Sequence, residues 1–374
     1  MKKYKVLHIT NGADVGGISA VILNYYRNID RSQFQFDFVV PPCVLGPNGH
    51  ELENLGGTFY TLPLKNEHPI SFMKDLSKLI KQNHYDIVHA HHHDTSFVAL
   101  FVAMFCGVKC RVAQSHSYRA EGGNLKIKFR RYVGVLLNDL SSNLRFACTN
   151  EAASYLFGKW LKHLFPVTII RNGIEPERFP YSIQARTIAR KELNINNSTL
   201  VFGIVARMTP EKNHVFLLKV LKDIKKLRKD VKLLIVGDGP LRDELREYAC
   251  KESIDDDVIF AGKRPDLVNM LCAMDVFTLP SIYEGSPVSA VEASANGLPV
   301  VLSSSITKDL QFLSNVAYVD INDNCCGKWA ETIIKLSNKG RDEQAVTVIN
   351  NKGYNVSSIT KLLAESYLNK IHKR

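Results

Sequence analysis

The sequence predicts an α/β protein of two doubly wound domains facing each other across a cleft. Three observations carry this. Strand patterns and helix patterns alternate along almost the whole chain, the signature of a mainly parallel sheet with helices on both faces. The 374 residues are enough for two domains. The alternation breaks once, after Arg171-Asn172-Gly173-Ile174, at the turn-rich stretch EPERFPYSIQ. Its prolines, Pro176 and Pro180, and its weak periodicity mark a linker.

The first domain, residues 1–175, reads as strands at 4–10, 34–40, 58–62, 85–90, 109–114, 144–148 and 166–171. Short apolar runs bounded by turn residues define them. Helical spacing falls between, at 17–29, 70–82, 95–106, 125–140 and 150–157. The second domain, residues 176–355, has strands at 199–206, 231–236, 257–261, 275–279, 299–302 and 316–319. Its helices fall at 212–229, 240–252, 266–273, 287–296 and 324–337. A last segment, 356–374, carries Ile359, Leu362, Leu363, Tyr367 and Ile371 at helical spacing. It is expected to pack back toward the first domain.

Composition narrows the function. Hydrophobic content of 45% and charged content of 23% are those of an ordinary folded domain. The net charge of +11 favours an anionic partner: a nucleotide, a phosphate or an acidic membrane surface. No nucleic-acid motif stands at its proper spacing. The eight cysteines are scattered without a CxxC, which argues for a reduced, intracellular protein and against a disulfide framework or zinc site. The start, MKKYKVLHIT, reads as a first strand, not a signal peptide. The longest apolar stretch, Ser96 to Cys106, is too short to span a bilayer. A cytoplasmic location follows as an expectation.

Ligands of doubly wound sheets sit at the C-terminal ends of the strands. After the first strand, Gly16-Gly17 precedes a helix and would let an anion approach the backbone. A tight turn explains the same pair. The second domain opens with VFGIVARMTPEKNH, placing Gly203 within a strand, Arg207 past its end and Lys212 at the next helix. Two cations there suit a diphosphate, or are solvated surface charges. Gly237-Asp238-Gly239-Pro240 is another strand–turn–helix junction. In SIYEGSPVSAVEASANGLPVVL, Ser286 is the expected N-cap, Pro287 the first helical residue and Gly297 the C-cap. Glu284 then lies in the loop and Glu292 in the helix. A carboxylate at a helix entrance opposes a phosphate, so Glu284 should face hydroxyls, as of a sugar.

His116 follows the strand at 109–114, beside a glycine-rich loop. In HAHHH, His89, His91 and His93 would share one face of a strand, without the spacing of a defined metal geometry. No metal site is expected. Asp255-Asp256-Asp257 precedes a strand instead of following one and reads as a solvated turn. Residues 124–137, with Lys126, Lys128, Arg130 and Arg131 beside Phe129 and Tyr132, form a basic amphipathic helix suited to an anionic membrane surface. An ordinary solvated helix face is the alternative.

Together these pieces resemble the family-4 retaining glycosyltransferases of the GT-B fold, over nearly the whole chain. Glu284-Gly285-Ser286-Pro287-Val288-Ser289-Ala290-Val291-Glu292 looks like that family's E-x7-E element, and Gly203-Ile204-Val205-Ala206-Arg207 with Lys212 like its G-x-x-x-R…K element. Arg171-Asn172-Gly173-Ile174, Val236-Gly237-Asp238-Gly239-Pro240 and Asn296-Gly297-Leu298-Pro299 are similar to further family segments. The flavour is that of bacterial exopolysaccharide and capsular polysaccharide transferases. The resemblance implies two Rossmann-like domains, an acceptor domain followed by a nucleotide-sugar donor domain, and retaining, metal-independent sugar transfer without a cofactor. Glu284 would hold donor-sugar hydroxyls and Glu292 the ribose. The backbone of Gly285, Ser286, Pro287 and Val288 would line the donor, as would Gly16, Gly17, Gly203 and Gly237. Arg207 and Lys212 would neutralise the leaving diphosphate, with UDP the expected nucleotide. His116 would stand near the reacting sugar, with His91 a competing histidine. The acceptor would be a glycan or a polyprenyl-diphosphate-linked sugar. A nucleotide-sugar epimerase of the same architecture, or a non-catalytic nucleotide-sugar-binding protein, are the other readings.

Overall fold

A computed structural model of the chain describes residues 3–10, 12, 17–42, 45–64, 67–91, 95–116, 125–158 and 164–372, without the side chains of 125–128 and 130. Two compact units result. One comprises Met1–Ile174 with Gly353–Arg374, the other Glu175–Lys352.

In the first unit the chain runs through β1 (Tyr4–Ile9), α1 (Gly17–Asn28), β2 (Phe34–Val40), α2 (Pro47–Asn54), β3 (Thr58–Thr61) and α3 (Pro69–Asn83). It continues through β4 (Ile87–Ala90), α4 (Ser96–Phe105), β5 (Cys110–Ser115), α5 (Leu125–Ser141), β6 (Leu144–Ala147), α6 (Asn150–Phe157) and β7 (Thr168–Ile169). The second unit holds α7 (Ile183–Glu192), β8 (Leu200–Val205), α8 (His214–Leu227), β9 (Val231–Val236), α9 (Arg242–Lys251), β10 (Val258–Gly262) and α10 (Leu267–Ala273). Then follow β11 (Val276–Leu279), α11 (Val288–Ala295), β12 (Val300–Ser303), β13 (Val316–Val319), α12 (Cys326–Ser337) and α13 (Ala345–Ile349). The last helix, α14 (Val356–His372), belongs to the first unit.

The seven strands of the first sheet lie in the order β3-β2-β1-β4-β5-β6-β7, and the six of the second in the order β10-β9-β8-β11-β12-β13. Every pairing is parallel. The central strands are buried over most of their length, as sheets covered on both faces require. Both doubly wound sheets expected from the alternation are therefore present.

Some elements differ from expectation. The helix α2 is unannounced in the sequence, because PNGHELEN buries only Gly49 and Leu52 and so has no apolar stripe to read. The linker is shorter than expected: a single 3-10 turn, Pro176–Arg178, precedes α7. The strand expected at 166–171 is only Thr168–Ile169, and α13 is a five-residue helix with no counterpart in the sequence reading. At Lys212 the chain makes a 3-10 turn, and Asn213, at φ 55°, separates it from α8.

The reason α7 escapes a hydrophobic search is instructive. Its inner face is held by arginines. Arg190, fully buried, donates to the carbonyls of Ala273, Asn196, Asn197 and Thr199 at 2.9–3.1 Å and to Asp275 at 2.8 Å. Arg186 donates to the other Asp275 oxygen at 2.6 Å. Asp275 also accepts the Val201 N–H at 2.8 Å, at the start of β8. One carboxylate thus ties α7 to two strands.

In the first unit, Gly173 is a point of close approach. A Cβ there would lie 2.4 Å from Ile359 Cδ1 and 3.1 Å from the Val356 backbone. Next to it, Ile174 forms a parallel bridge with Asn355, through Ile174 N–H to Tyr354 O and Val356 N–H to Ile174 O, both 2.9 Å. The strand leaving the first unit and the strand returning to it are hydrogen-bonded neighbours.

Replacing Arg190 by Met removes the arginine donor from the Asn197 and Thr199 carbonyls and leaves half of the Asp275 charge without its partner. Breaking one partner of such a buried pair costs about 3 kcal/mol. We expect the urea unfolding free energy of Arg190→Met to fall by that amount.

Candidate functional site

In the second sheet β8 lies between β9 and β11. The winding reverses there, so a crevice opens beyond the C-terminal ends of β8 and β11. The loops after those strands carry the residues of interest. Arg207, two residues past β8, is exposed. Lys212 closes the 3-10 turn that follows. Across from it, Glu284 accepts a hydrogen bond from Lys212 Nζ and another, at 2.8 Å, from Ser281 Oγ. The backbones join as well, with Ile282 N–H donating to Glu211 O at 2.9 Å. The two side chains are 24% and 13% exposed, so their attraction is stronger than that of a solvated pair.

The Arg207 loop is seated on a second glycine loop. Met208 N–H donates to Asp238 O at 3.0 Å and Leu241 N–H to Met208 O at 3.2 Å. Gly237, at φ 133°, leaves no room for a side chain: a Cβ would lie 2.1 Å from Ala206 O. At Gly239 it would lie 2.5 Å from Met208 O. Their glycine character is set by the backbone they support. Gly203 is similar, its Cβ position 2.6 Å from Met274 Cε and 2.7 Å from Leu234 O.

The helix α11 begins at Val288 with Pro287 in the cap position and no side-chain cap bond. Ser286 is thus not the N-cap expected from the sequence, nor is Pro287 the first helical residue. Gly297 does end the helix, at φ 78°, one position beyond the Asn296 cap. Gly285, Ser286 and Pro287 are buried and Val288 is partly so. Glu292 lies mid-helix in α11 and is partly buried. Burial raises its carboxyl to about 8, with Arg178 pulling the other way.

In the first sheet the winding reverses between β1 and β4. Here four histidines gather. His8 in β1 and His89 in β4 are register partners. His91 follows β4 and His116 follows β5. All four are buried. His8 Nδ1 and His91 Nε2 are 2.9 Å apart, and His91 Nδ1 and His116 Nε2 are 2.8 Å apart. His116 Nδ1 faces Asn172 Oδ1 at 3.4 Å. His89 stacks on His91 with centroids 4.2 Å apart and bonds the Tyr367 hydroxyl of α14 at 2.6 Å. Burial lowers His8 to about 3 and His89 well below the ordinary value; both are neutral.

The nitrogens of His8, His89 and His91 lie within 4.8 Å of one another. His8 Nδ1 and His91 Nε2 bond each other, and His89 Nδ1 bonds the Tyr367 hydroxyl.

Comparison with known proteins follows from these positions. The family model described as "Glycosyltransferase Family 4" matches residues 15–178, and that described as "Glycosyl transferases group 1" matches residues 185–345. EpsF of Bacillus subtilis (strain 168) is 34% identical over 348 residues, spanning 91% of this chain and 89% of its own. The chain is a family-4 glycosyltransferase. A second relative, the Escherichia coli UDP-Gal:alpha-D-GlcNAc-diphosphoundecaprenol alpha-1,3-galactosyltransferase, is 28% identical over 311 residues, covering 80% of this chain and 79% of its own. Among solved structures, HepE of Anabaena in complex with UDP-glucose superposes with a TM-score of 0.81 at 17% identity, covering 98% of this chain and 99% of HepE. The two sheets of the glycosyltransferase are thus those of the GT-B fold.

The glycosyltransferase brings Lys212 and Glu284 into contact, sets Arg207 on the neighbouring loop, and joins His116 to His91. Gly17 opens α1 with no atom within 4 Å of its Cβ position. Gly16, His93, Asn124 and the side chains of Lys126, Lys128 and Arg130 lie outside the described residues. The Asp255–Asp257 run is a 3-10 turn, and Asp257 pairs with Lys225 and Lys232. The sequence reading passed over Ser281, Asn172 and His8. His8 carried a signal: two histidines in consecutive central strands, one in each, share a level when the strands are neighbours. His214, buried with Lys212 nearby and held near 4 by burial, was also passed over.

The glycines separate by test. Gly237→Ala must displace the Ala206 carbonyl and adopt a disfavoured φ, at about 2 kcal/mol or more. Gly17→Ala meets open space and should hold or raise stability, by up to ~1 kcal/mol. Urea unfolding of both variants measures the contrast.

Proposed function

We propose that the enzyme moves a sugar from a nucleoside diphosphate sugar, UDP-linked, to a glycan or polyprenyl-diphosphate-linked acceptor in surface polysaccharide synthesis. Transfer retains the anomeric configuration and needs no metal. The observation that carries this is the pairing of Lys212 with Glu284 beside Arg207 at the β8–β11 switch point. Two cations and a carboxylate there match a ligand that is anionic at one end and hydroxylated at the other. HepE, which binds UDP-glucose, and the galactosyltransferase, named for UDP-Gal and a diphosphoundecaprenol acceptor, support the donor and acceptor classes.

The chemistry then follows from the residues. When the bond from the anomeric carbon to the β-phosphate oxygen breaks, negative charge builds on the departing diphosphate. Arg207 and Lys212 neutralise it, the kind of fixed electrostatic help that lowers barriers most. The acceptor hydroxyl attacks from the same face, and its proton passes to the leaving phosphate oxygen. Glu284 turns from Lys212 to sugar hydroxyls. Glu292 holds the ribose. Its raised pKa suits a carboxyl that ionises fully once hydroxyls donate to it. Gly285, Ser286 and Val288 present backbone at the start of α11, where the helix dipole favours phosphate. His116 and the open surface at Gly17 serve the reacting sugar and phosphates from the first unit.

None of the described helices is long and apolar enough to cross a membrane. On α5, Phe129, Tyr132, Leu136 and Leu140 are 70%, 70%, 41% and 55% exposed. Their spacing sets them on one stripe. This stripe, with the cations at 126, 128 and 130, is our candidate contact with an anionic membrane surface at the inner face of the cytoplasmic membrane; Arg131, expected to join them, is instead stacked over the Tyr155 ring at 4.3 Å. Sedimentation with phosphatidylglycerol vesicles at low salt should pull the protein down, and Phe129→Ser with Tyr132→Ser should abolish this. Indifference to such vesicles removes the assignment.

For the reaction, UDP release is measured from a panel of UDP-galactose, UDP-glucose and UDP-N-acetylglucosamine. Arg207→Ala should lower turnover by about 10²–10³ with an unchanged unfolding midpoint, since the residue is exposed. EDTA should leave turnover intact. Full turnover in folded Arg207→Ala overturns the diphosphate assignment.

A further inference from the structure

The imidazole chain in the first unit has a direction, and the direction bears on His116. His91 is neutral only if one of its nitrogens carries a proton. Both of its nitrogens face other imidazoles, at 2.9 Å from His8 and 2.8 Å from His116. It therefore donates to one and accepts from the other. Two arrangements satisfy this. In the first, protons run from His116 toward His8. His116 Nδ1 is then a bare acceptor facing the Asn172 carbonyl oxygen at 3.4 Å. His8 would also keep an N–H on Nε2, which is buried and has no hydrogen-bond partner among the described residues. In the second, protons run from His8 toward His116. His8 Nδ1–H donates to His91, His91 Nδ1–H donates to His116 Nε2, and His116 Nδ1–H faces the Asn172 oxygen. Only a lone pair on His8 Nε2 is then left over. An orphaned buried N–H is the rarer and costlier defect. The second arrangement also puts a donor opposite an acceptor at Asn172.

We propose that His91 is a positioning residue for His116: held by His8 and stacked by His89, it donates to His116 Nε2 and so fixes His116 as the Nδ1–H tautomer, a neutral hydrogen-bond donor toward a ligand oxygen. The inference rests on the reading that His116 serves the reacting sugar. The rings of His8, His91 and His116 lie within 19° and 30° of one plane pair by pair, with centroids 5.2 and 5.0 Å apart, as end-to-end hydrogen bonding demands. His89, 27° from parallel at 4.2 Å, covers the face of His91, and Tyr367 holds His89 in turn. These contacts leave His91 little freedom to flip. At 3.4 Å the Asn172 contact is at the long limit of a hydrogen bond. The neighbouring imidazole sets which ring nitrogen carries the proton, much as a carboxylate does in other histidine sites.

The test is long-range 1H–15N correlation on the full chain labelled with [15N]histidine, the His116 signals being assigned by their loss in His116→Gln. The wild-type protein should show His116 protonated on Nδ1 and not on Nε2; the opposite tautomer overturns the proposal without any variant being made. In His91→Leu the His116 signals should move toward a mixture of tautomers, and kcat for UDP release from the fastest sugar nucleotide of the panel should drop about tenfold with KM within twofold. His91→Asn keeps a donor at the position of Nδ1 and should restore the wild-type tautomer and most of kcat. If His91→Leu folds poorly, the comparison of His91→Asn with wild type and the wild-type spectrum still decide. An unchanged His116 tautomer and kcat in folded His91→Leu refute the positioning role, even when His116→Gln is inactive. Full activity in His116→Gln instead defeats the reading of His116 itself.

Discussion

Both sheets reverse their winding beside their first strand, and the polar groups of interest collect at that reversal. In a right-handed doubly wound sheet the crossover helices cover opposite faces on either side of the reversal. The loops leaving the two central strands are therefore the only ones pushed apart. In the first unit these are the loops after β1 and β4, in the second those after β8 and β11. The glycine interlock seats the Arg207 loop at the second of these openings.

The two openings use different electrostatics. The second unit holds charge. Lys212 and Glu284 neutralise one another in the partly wet loop pair, so neither carries a full desolvation cost before a ligand arrives. In the first unit His8 and His89 are neutral, because burial forbids the imidazolium.

Much of this was legible in the sequence, for physical reasons. Strand runs such as VLHI and VFGIV are apolar on both sides because their sheets are covered on both faces, so their number and order were easy to read. Glu284, Arg207 and Lys212 stood out because their spacing relative to strand ends is constrained by backbone geometry. The failures have causes as well. α7 is fastened by Arg186 and Arg190 through carbonyls and Asp275, and no hydrophobic pattern reports such a helix. Ser286 looks like a cap by composition, but the helix begins two residues later. The histidine chain joins β1, β4, β5 and the segment around Asn172, residues up to 164 positions apart. Local pattern cannot show that His8 and His116 share a partner.

The bridge between Ile174 and Asn355 makes the second unit an insertion whose two ends leave from one point. During synthesis, the ribosome completes the whole of Glu175–Lys352 before the last helix of the first unit exists. Until α14 emerges, β1, β4 and β5 lack the helix that supplies Tyr367, and His89 lacks its hydroxyl partner. The first unit is therefore the last to mature, although it begins first. A chain that ends between residues 352 and 366 holds Lys212 and Glu284 but lacks the hydroxyl that bonds His89.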